Sequence, residues 1–485
     1  MSPFDKARYA RLLKGLDVTE IPLSKLLELN EVFRIDAEYF GTEALAVIGR
    51  LRGRGAVPLG SLAAITDGIH TSLPFVDDGA VKVLSAKHPK ENYIDRSQFE
   101  AISAEFHAQN PRTALRENDV LISTVGTIGN SAVVTADLLP ANSDRHIGIV
   151  RLHKGTMSPY VLSTFLLSRY GKAQSIRETT GNVQPNLFIS KIGQLLIPRF
   201  AEQFENAIDA KVQRAYQLRE ESAKQIAQIE TTLLHALGLK RWQAPEALSY
   251  VRSSAQAFAA ERFDAEYFNP AKTEALAKLS ALSDCTVGDL FNSVRELWQP
   301  DDDSGPDVVR NYDLTDALSP FLDGSKAPSD RTTIASTKKT IRAGDLVVSR
   351  LRSYLKEIAL VQSGGDVPMV ASTEYIVLRP KQPGVLPVEA LMIFLRSALP
   401  QVVFKWSQDG SNHPRFDEKE LLRLPLPRAL IQHAAEYVTA VRSVIAKRER
   451  ATQLLDAAKR AVEIAIEDSE TVAKKYLSTR ESGVL

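Results

Sequence analysis

The sequence predicts a mixed α+β protein: two repeated α/β modules separated by an antiparallel pair of coiled-coil helices. Three observations predict it. First, a seven-residue motif occurs twice, RIDAEYF at 34–40 and RFDAEYF at 262–268, a separation of 228. Second, further matches fall at nearly the same offset. ENDVLIS (117–123) corresponds to AGDLVVS (343–349), with Asp119 and Asp345 226 apart, and IVRL (149–152) corresponds to IVLR (376–379) at 227. GNVQPNLFISKIGQLLIP (181–198) corresponds to GSNHPRFDEKELLRLPLP (410–427) at 229. Third, each half ends in a long proline-free amphipathic stretch. A fixed internal period is the signature of one structural unit used more than once.

Each half reads in the same order. A short helix carries the AEYF segment. Alternating apolar runs such as VKVLSA (81–86), DVLIS (119–123) and IGIVRL (147–152) read as strands. An apolar helical run follows, SPYVLSTFLLSRYG (158–171) in the first half and PVEALMIFLRSAL (387–399) in the second. Then come a glycine-containing loop and a short strand, LLIP or LRLPLP, stopped by proline.

In the long stretches, apolar or small residues recur in steps of four and three at Ile208, Val212, Ala215, Ser222, Ile226, Ile229, Leu233 and Ala236. That is a heptad seam. Adding 229 gives Tyr437, Val441, Val444, Ala451, Leu455, Ala458, Val462 and Ala465, so the seam repeats. Its polar interruption repeats too, Arg219 with Arg448, and both arginines are expected to snorkel to solvent. A helix of roughly 38 residues spans about 57 Å, the length of a spacer.

The expected domains are an N-terminal helical repeat segment (1–41), a first module (42–198), a central spacer helix (199–240), a second repeat segment (241–268), a second module (269–427), and a distal spacer helix with its tail (428–485). Tyr39, Phe40, Tyr267 and Phe268 read as core residues that pin each module to the helix pair.

Composition bounds the function classes. With 44% apolar and 25% charged residues, a packed chain is expected. No apolar run reaches the roughly 18–20 residues that cross a bilayer, and the start MSPFDKARYARLL lacks the apolar core of a secretory signal. Cys285 is the single cysteine, so neither a disulfide framework nor a thiolate metal cluster is expected, and a reducing cytoplasmic compartment fits. No Walker-type loop and no HExxH occur. The acidic run Asp301-Asp302-Asp303 reads as a solvated loop, since no suitably placed lysine follows. His70, His146 and His413 lie in polar loops without a carboxylate–nucleophile arrangement. No catalytic residue, metal or cofactor is expected. The net charge of +1 neither demands nor excludes a nucleic-acid partner, because binding depends on where positive charge sits.

The order of module, long helix, module, long helix resembles the specificity subunit of type I restriction–modification enzymes over nearly the whole chain. Local patterns match as well: Asp67-Gly68-Ile69-His70, Asn118-Asp119-Val120, the Val125-Gly126-Thr127-Ile128-Gly129 loop, and Gly181-Asn182-Val183-Gln184-Pro185-Asn186. The second module departs from them, with Val294-Arg295-Glu296 in place of the Asp-Gly-x-His turn and Arg350-Leu351-Arg352-Ser353-Tyr354 in place of the glycine loop. The resemblance implies two target-recognition domains, each reading half of a split double-stranded DNA sequence. It also implies a helix pair that acts as a ruler and docks two methyltransferase subunits, with restriction/translocase subunits as further partners. Ile226, Leu233, Leu455 and Val462, with the AEYF aromatics, are the expected helix-seam and docking residues. An adenine methyltransferase of its own would need Asn/Asp-Pro-Pro-aromatic, and Asn110-Pro111 and Asn269-Pro270 lack the rest of it. A specificity subunit of a related phage-defence or type II-like restriction–modification system, a coiled-coil scaffold with peptide-binding modules and a nuclease are the competing classes.

The loops carry groups suited to base edges and phosphates. Arginine or lysine can donate twice to guanine, Asn or Gln can pair with adenine, and hydroxyls position phosphates. Between Lys338 and Lys356 lie six basic residues (Lys338, Lys339, Arg342, Arg350, Arg352, Lys356) against one acidic, Asp345. Such a run is usually a solvated face, but this one brackets a strand and ends in the loop matched to the glycine loop. The expected DNA-facing residues are Gly68, His70, Thr71, Thr127, Asn182 and Gln184 in the first module. In the second they are Arg350, Arg352, Tyr354, Lys356, Ser411, Asn412, His413 and Arg415. For Gly68 and for the 181–184 segment a plain turn accounts for the residues equally well.

Overall fold

The computed structural model describes residues 5–16, 18–24, 26, 34–77, 79–96, 99–181, 185–302, 305–324 and 326–482. The chain divides into two units, residues 1–219 with 449–485, and residues 220–448. Helices and sheets are mixed in both.

In the first unit, β1 (Ala63–Asp67), β2 (Val81–Leu84), β3 (Glu100–Ile102), β4 (Val120–Ser123), β5 (Ser131–Val133), β6 (Ala141–Ser143) and β7 (Ile147–Leu152) form two sheets. One is antiparallel in the order β1-β7-β4-β5; the other runs β3-β2-β6, with β2 and β6 parallel. The continuous apolar run of β4 suits a strand covered on both faces. Val120 and Ile122 point into the core shared with Val161 and Phe165 of the helix Pro159–Leu167. Leu121, one residue out of phase, points into the opposite core with Leu84 and Ile149. That helix starts where Ser158 caps it, its hydroxyl accepting from the Tyr160 amide at 3.2 Å and proline occupying the first turn.

The second unit contains β8 (Phe291–Val294), β9 (Leu297–Trp298), β10 (Val308–Tyr312), β11 (Phe321–Leu322), β12 (Ser329–Asp330), β13 (Lys338–Ile341), β14 (Leu346–Ser349), β15 (Ile358–Val361), β16 (Met369–Ser372) and β17 (Tyr375–Pro380). The sheet orders are β8-β17-β14-β15-β11 and β9-β13-β16-β10-β12. β14 is central and buried on both faces, as β4 is, with Leu346 and Val348 in one core and Val347 in the other. β10 and β16 pair in parallel, as β2 and β6 do.

A buried ion pair recurs at the entrance of each central strand. Asp119 accepts from Arg151 at 2.7 and 2.8 Å and from the Arg116 amide at 2.8 Å. Asp345 accepts from Arg379 at 2.7 and 2.8 Å and from the Arg342 amide at 2.8 Å. The residue before each aspartate, Asn118 or Gly344, is left-handed (φ 70° and 86°), which explains the Asn/Gly-Asp pattern.

The two long helices, Glu202–Ala236 and Ala434–Glu467, contribute to both units. Within the first, Ile208, Val212 and Ala215 share a core with Ala451, Leu455, Ala458, Val462 and Ala465. Within the second, Ile229 and Leu233 share one with Tyr437, Val441 and Val444, and Ile226 packs partly buried against it. Cross-links give antiparallel senses: the Ala201 amide donates to Glu470 and Arg219 to Thr452 in one unit, Gln225 to the Ala440 carbonyl and Arg448 to Ser222 in the other. At the end of the first seam Ala236 is exposed and Leu237 takes the buried place.

Two expectations need correction. The seam arginines do not snorkel to solvent. Arg219 lies over the Tyr93 ring at 3.8 Å, and Arg448 donates to Ser319 at 2.5 Å beside the Phe321 ring. An aromatic face or a module hydroxyl within reach outcompetes water for the flat guanidinium. The AEYF segments are turns, one at 37–40 and a 3-10 turn at Glu266–Phe268, not α-helix. Asp36 and Asp264 accept the amides of Tyr39 and Tyr267 and so close the turn locally. The aromatics are held by cations of their own modules, Arg177 over Tyr39 at 3.5 Å and Lys272 over Tyr267 at 3.3 Å. Tyr39 and Phe40 are buried; Tyr267 and Phe268 are half-buried.

Leu233, Leu455 and Val462 are consumed inside these cores. Replacing Leu455 with Asp is expected to cost about 3 kcal/mol or more, for an unpaired charge among apolar neighbours. Ile226→Asp should cost less, because its side chain is only partly buried. Thermal unfolding checks this; an unchanged midpoint for Leu455→Asp would refute the seam packing.

Candidate nucleic-acid interface

In the first unit, loops at the ends of β1, β4 and β6 converge on the polar run 143–146. A Cβ on Gly68 would stand 2.1 Å from the Asp144 carbonyl and 2.2 Å from that of Ser143, and the Ile69 amide donates to Ser143 at 2.8 Å. Gly68 is there because two backbones meet. His70, exposed, hydrogen-bonds Asp67 through Nε2, and Thr71 is exposed beside it. Arg112 reaches the same carboxylate at 3.2 Å. The Thr124 amide donates to the His146 carbonyl at 3.1 Å, and the Leu187 amide to the Thr124 carbonyl at 2.9 Å. These bonds gather 67–71, 124–129 and 185–187. Thr127 is exposed between Gly126 and Gly129, both left-handed (φ 68° and 74°). Asn182 and Gln184 lie outside the described residues. Arg112 and exposed Arg145 also belong to this surface, and sequence reasoning missed them. The polar Ser-Asp-Arg-His run between two apolar strands was the available signal for Arg145.

In the second unit the two candidate loops form one surface. The Arg352 amide donates to the Pro414 carbonyl at 2.9 Å, and the Phe416 amide to the Arg350 carbonyl at 3.1 Å. The Arg352 guanidinium lies 3.2 Å from His413 Nδ1. Glu374 clamps both loops, accepting from Arg350 at 2.9 Å and from Arg415 at 2.8–3.1 Å. Those bonds, Arg415's foremost, hold the Glu374 carboxyl below its usual pKa, against the opposing effect of burial. Tyr354, Ser411, Asn412 and His413 are exposed around the clamp.

The basic run 338–356 is not one solvated face. Lys338 is buried and pairs with Asp313 at 3.2 Å; Lys339 donates to the Tyr375 carbonyl at 2.7 Å. Arg342 pairs with Glu296, and Arg350 with Glu374. Arg352 and Lys356 make no ion pair among the described residues, and both are left-handed (φ 48° and 51°). They stand 226 and 227 positions after Gly126 and Gly129. A non-glycine residue in that conformation costs about 1–2 kcal/mol. The second unit therefore carries cations where the first has glycines, at a backbone cost.

Among the described residues no group of three or more His, Cys, Asp or Glu could hold a metal ion. Among them, no helix is long and apolar enough to cross a membrane.

No protein-family model matches the chain, and comparison with curated proteins finds no match. Among solved structures, the chain is similar to the S subunit of a type I restriction–modification system from M. genitalium, at 14% identity, covering 87% of this chain and 95% of that one, with a TM-score of 0.33. It is also similar to the HsdS subunit from Thermoanaerobacter tengcongensis, at 14% identity, 85% and 96% coverage and a TM-score of 0.28. A third similar chain comes from a study of complex assembly and conformational transition of the type I restriction–modification system, at 14% identity, 85% and 96% coverage and a TM-score of 0.27.

Because Glu374's pKa is lowered in the fold, the clamp contributes stability above the unfolded carboxylate's pKa and loses it as pH falls through the folded value. Glu374→Gln is accordingly expected to flatten the acid limb of stability against pH. An acid limb identical to that of the parent chain would show that the clamp carries none of it.

Proposed function

We propose that the chain is a non-catalytic DNA-recognition subunit that reads a bipartite double-stranded target, one module to each half, and directs separate adenine methyltransferase and restriction subunits of a type I restriction–modification system. The observation that carries this reading is a shared scaffold with divergent loops. The Asp–Arg pair behind each central strand is the same in both units. The loop in front differs, glycines in one and Arg352 and Lys356 in the other. Two readers of two different half-sites need that combination.

The finer parts of the reading rest on the sequence. The seam repeated at 229 supports paired coiled-coil helices acting as the spacer between two equivalent modules. Two methyltransferase subunits would dock on the outward faces of these helices and on the AEYF segments, since Leu233, Leu455 and Val462 are spent inside the cores. The DNA-facing assignments stay with the loops: Gly68, His70, Thr71 and Thr127, and Asn182 and Gln184 by sequence alone, in the first module. In the second they are Arg352, Tyr354, Lys356, Ser411, Asn412 and His413, with Arg350 and Arg415 as clamp residues behind them.

Sequencing methylated adenines in a host carrying this gene with its neighbours tests the reading: a bipartite motif is expected. Arg352→Ala should relax one position of one half-site by about 1–3 kcal/mol if the guanidinium reads a base, or weaken all sequences alike and lower the salt slope if it grips a phosphate. Changes in both half-sites from this one substitution would sink the two-reader reading. The purified chain alone should neither methylate nor cut DNA; methyl transfer from S-adenosylmethionine by the pure chain would overturn its assignment as non-catalytic.

A further inference from the structure

The loop 350–356 is gripped from beneath by a residue outside the reading surface. Arg396 ends the helix Val388–Arg396, and its Nη1 donates to the carbonyl of Lys356 at 2.7 Å and of Ile358 at 3.1 Å. Its Nε is buried. Glu230, on the first long helix, faces both Arg396 and Lys356 electrostatically, and its charge offsets part of the burial that pulls the Arg396 pKa down. The Lys356 carbonyl belongs to the peptide that follows left-handed Lys356, and the Ile358 carbonyl stands two residues further on. Holding both fixes the direction of that peptide, the part of the turn a non-glycine residue disfavours.

The first unit offers the comparison. Its corresponding helix, Pro159–Leu167, ends 229 positions earlier in Leu167, a buried apolar residue with no hydrogen-bonding side chain. Its loop reaches the same left-handed conformations with Gly126 and Gly129, which need no grip. An arginine at a helix C-terminus could simply favour the helix dipole. That role would not require its guanidinium to bridge two carbonyls of another element.

We propose that Arg396 is a positioning residue for DNA reading by the second unit. It sets which base edges Arg352 and Lys356 reach by locking the left-handed turn they stand on, without touching DNA itself. The proposal rests on the two-reader reading above. Its test is methylated-motif sequencing, in a host carrying the neighbouring genes, of Arg396→Lys, Arg396→Leu, and Arg396→Leu combined with Lys356→Gly, with thermal unfolding of each purified chain. Arg396→Lys and Arg396→Leu should lower the preference for the correct base by roughly tenfold at one or two positions of one half-site. The other half-site and the gap should stay unchanged. Adding Lys356→Gly, which restores the left-handed turn without a grip, should recover preference at positions Arg352 reads. A purely structural role predicts lower methylation at every position and no rescue. Should Arg396→Leu fail to accumulate, Arg396→Lys decides, and an unchanged preference in both half-sites overturns the proposal. If the parent chain itself yields no bipartite motif, the two-reader reading fails and takes this proposal with it.

Discussion

Each candidate surface depends on a carboxylate almost removed from water. Asp119 and Asp345 are each 1% exposed, a placement that a lone charge would make prohibitive. Each is offset by an arginine fork and one backbone amide, and removing one partner of such a pair costs about 3–5 kcal/mol. The arginines come from β7 and β17, the strands that flank the central strands β4 and β14. The pair therefore ties the entrance of the central strand to its neighbour and fixes its register. The candidate loops leave from the other end of the same strands, at Thr124 and Arg350. A rigid near end is what allows the far end to vary.

The variation has a definite physical form. Gly126 and Gly129 reach the left-handed region without cost, whereas Arg352 and Lys356 pay for it in strain. The second unit adds fasteners that the glycine loop does without: the Arg396 grip, and Glu374 with two arginines. Charge and strain rise together there. A cationic loop with unconstrained backbone would present its guanidinium in many directions, and a hydrogen-bond pattern on a base edge rewards only a few of them.

Much of the scaffold was legible because burial obeys periodicity. The alternation in β4 and β14 and the seam at Ile208, Val212, Val441 and Val444 follow from which face of an element meets a core. The exchange of Ala236 for Leu237 is the drift expected where a 3.6-residue helix leaves a strict heptad. The site was less legible because its pairings join residues far apart in sequence. Nothing near Arg350 announces Glu374, and nothing near Arg219 announces Tyr93. Charge counting placed six cations in one run, but four of them turn to acceptors within the protein. The AEYF turn misled for a different reason: Asp36 and Asp264 close it locally through their side chains, the competition with helix that makes aspartate a turn former.

These internal pairings also bear on how so nearly neutral a chain, at +1, could discriminate DNA sequences. Nonspecific grip grows with the number of phosphates neutralised, and an arginine already paired with Glu374 contributes little to it. Arg352 and Lys356 are left as the loop's net charge. A reader built this way gains little from any backbone it meets and depends on the geometry of a few contacts. Discrimination is a difference between right and wrong sequences, so a small sequence-independent term leaves that difference intact while lowering total affinity. On the proposed reading, partner subunits would supply the missing grip. The division of labour would then follow from where this chain places its carboxylates.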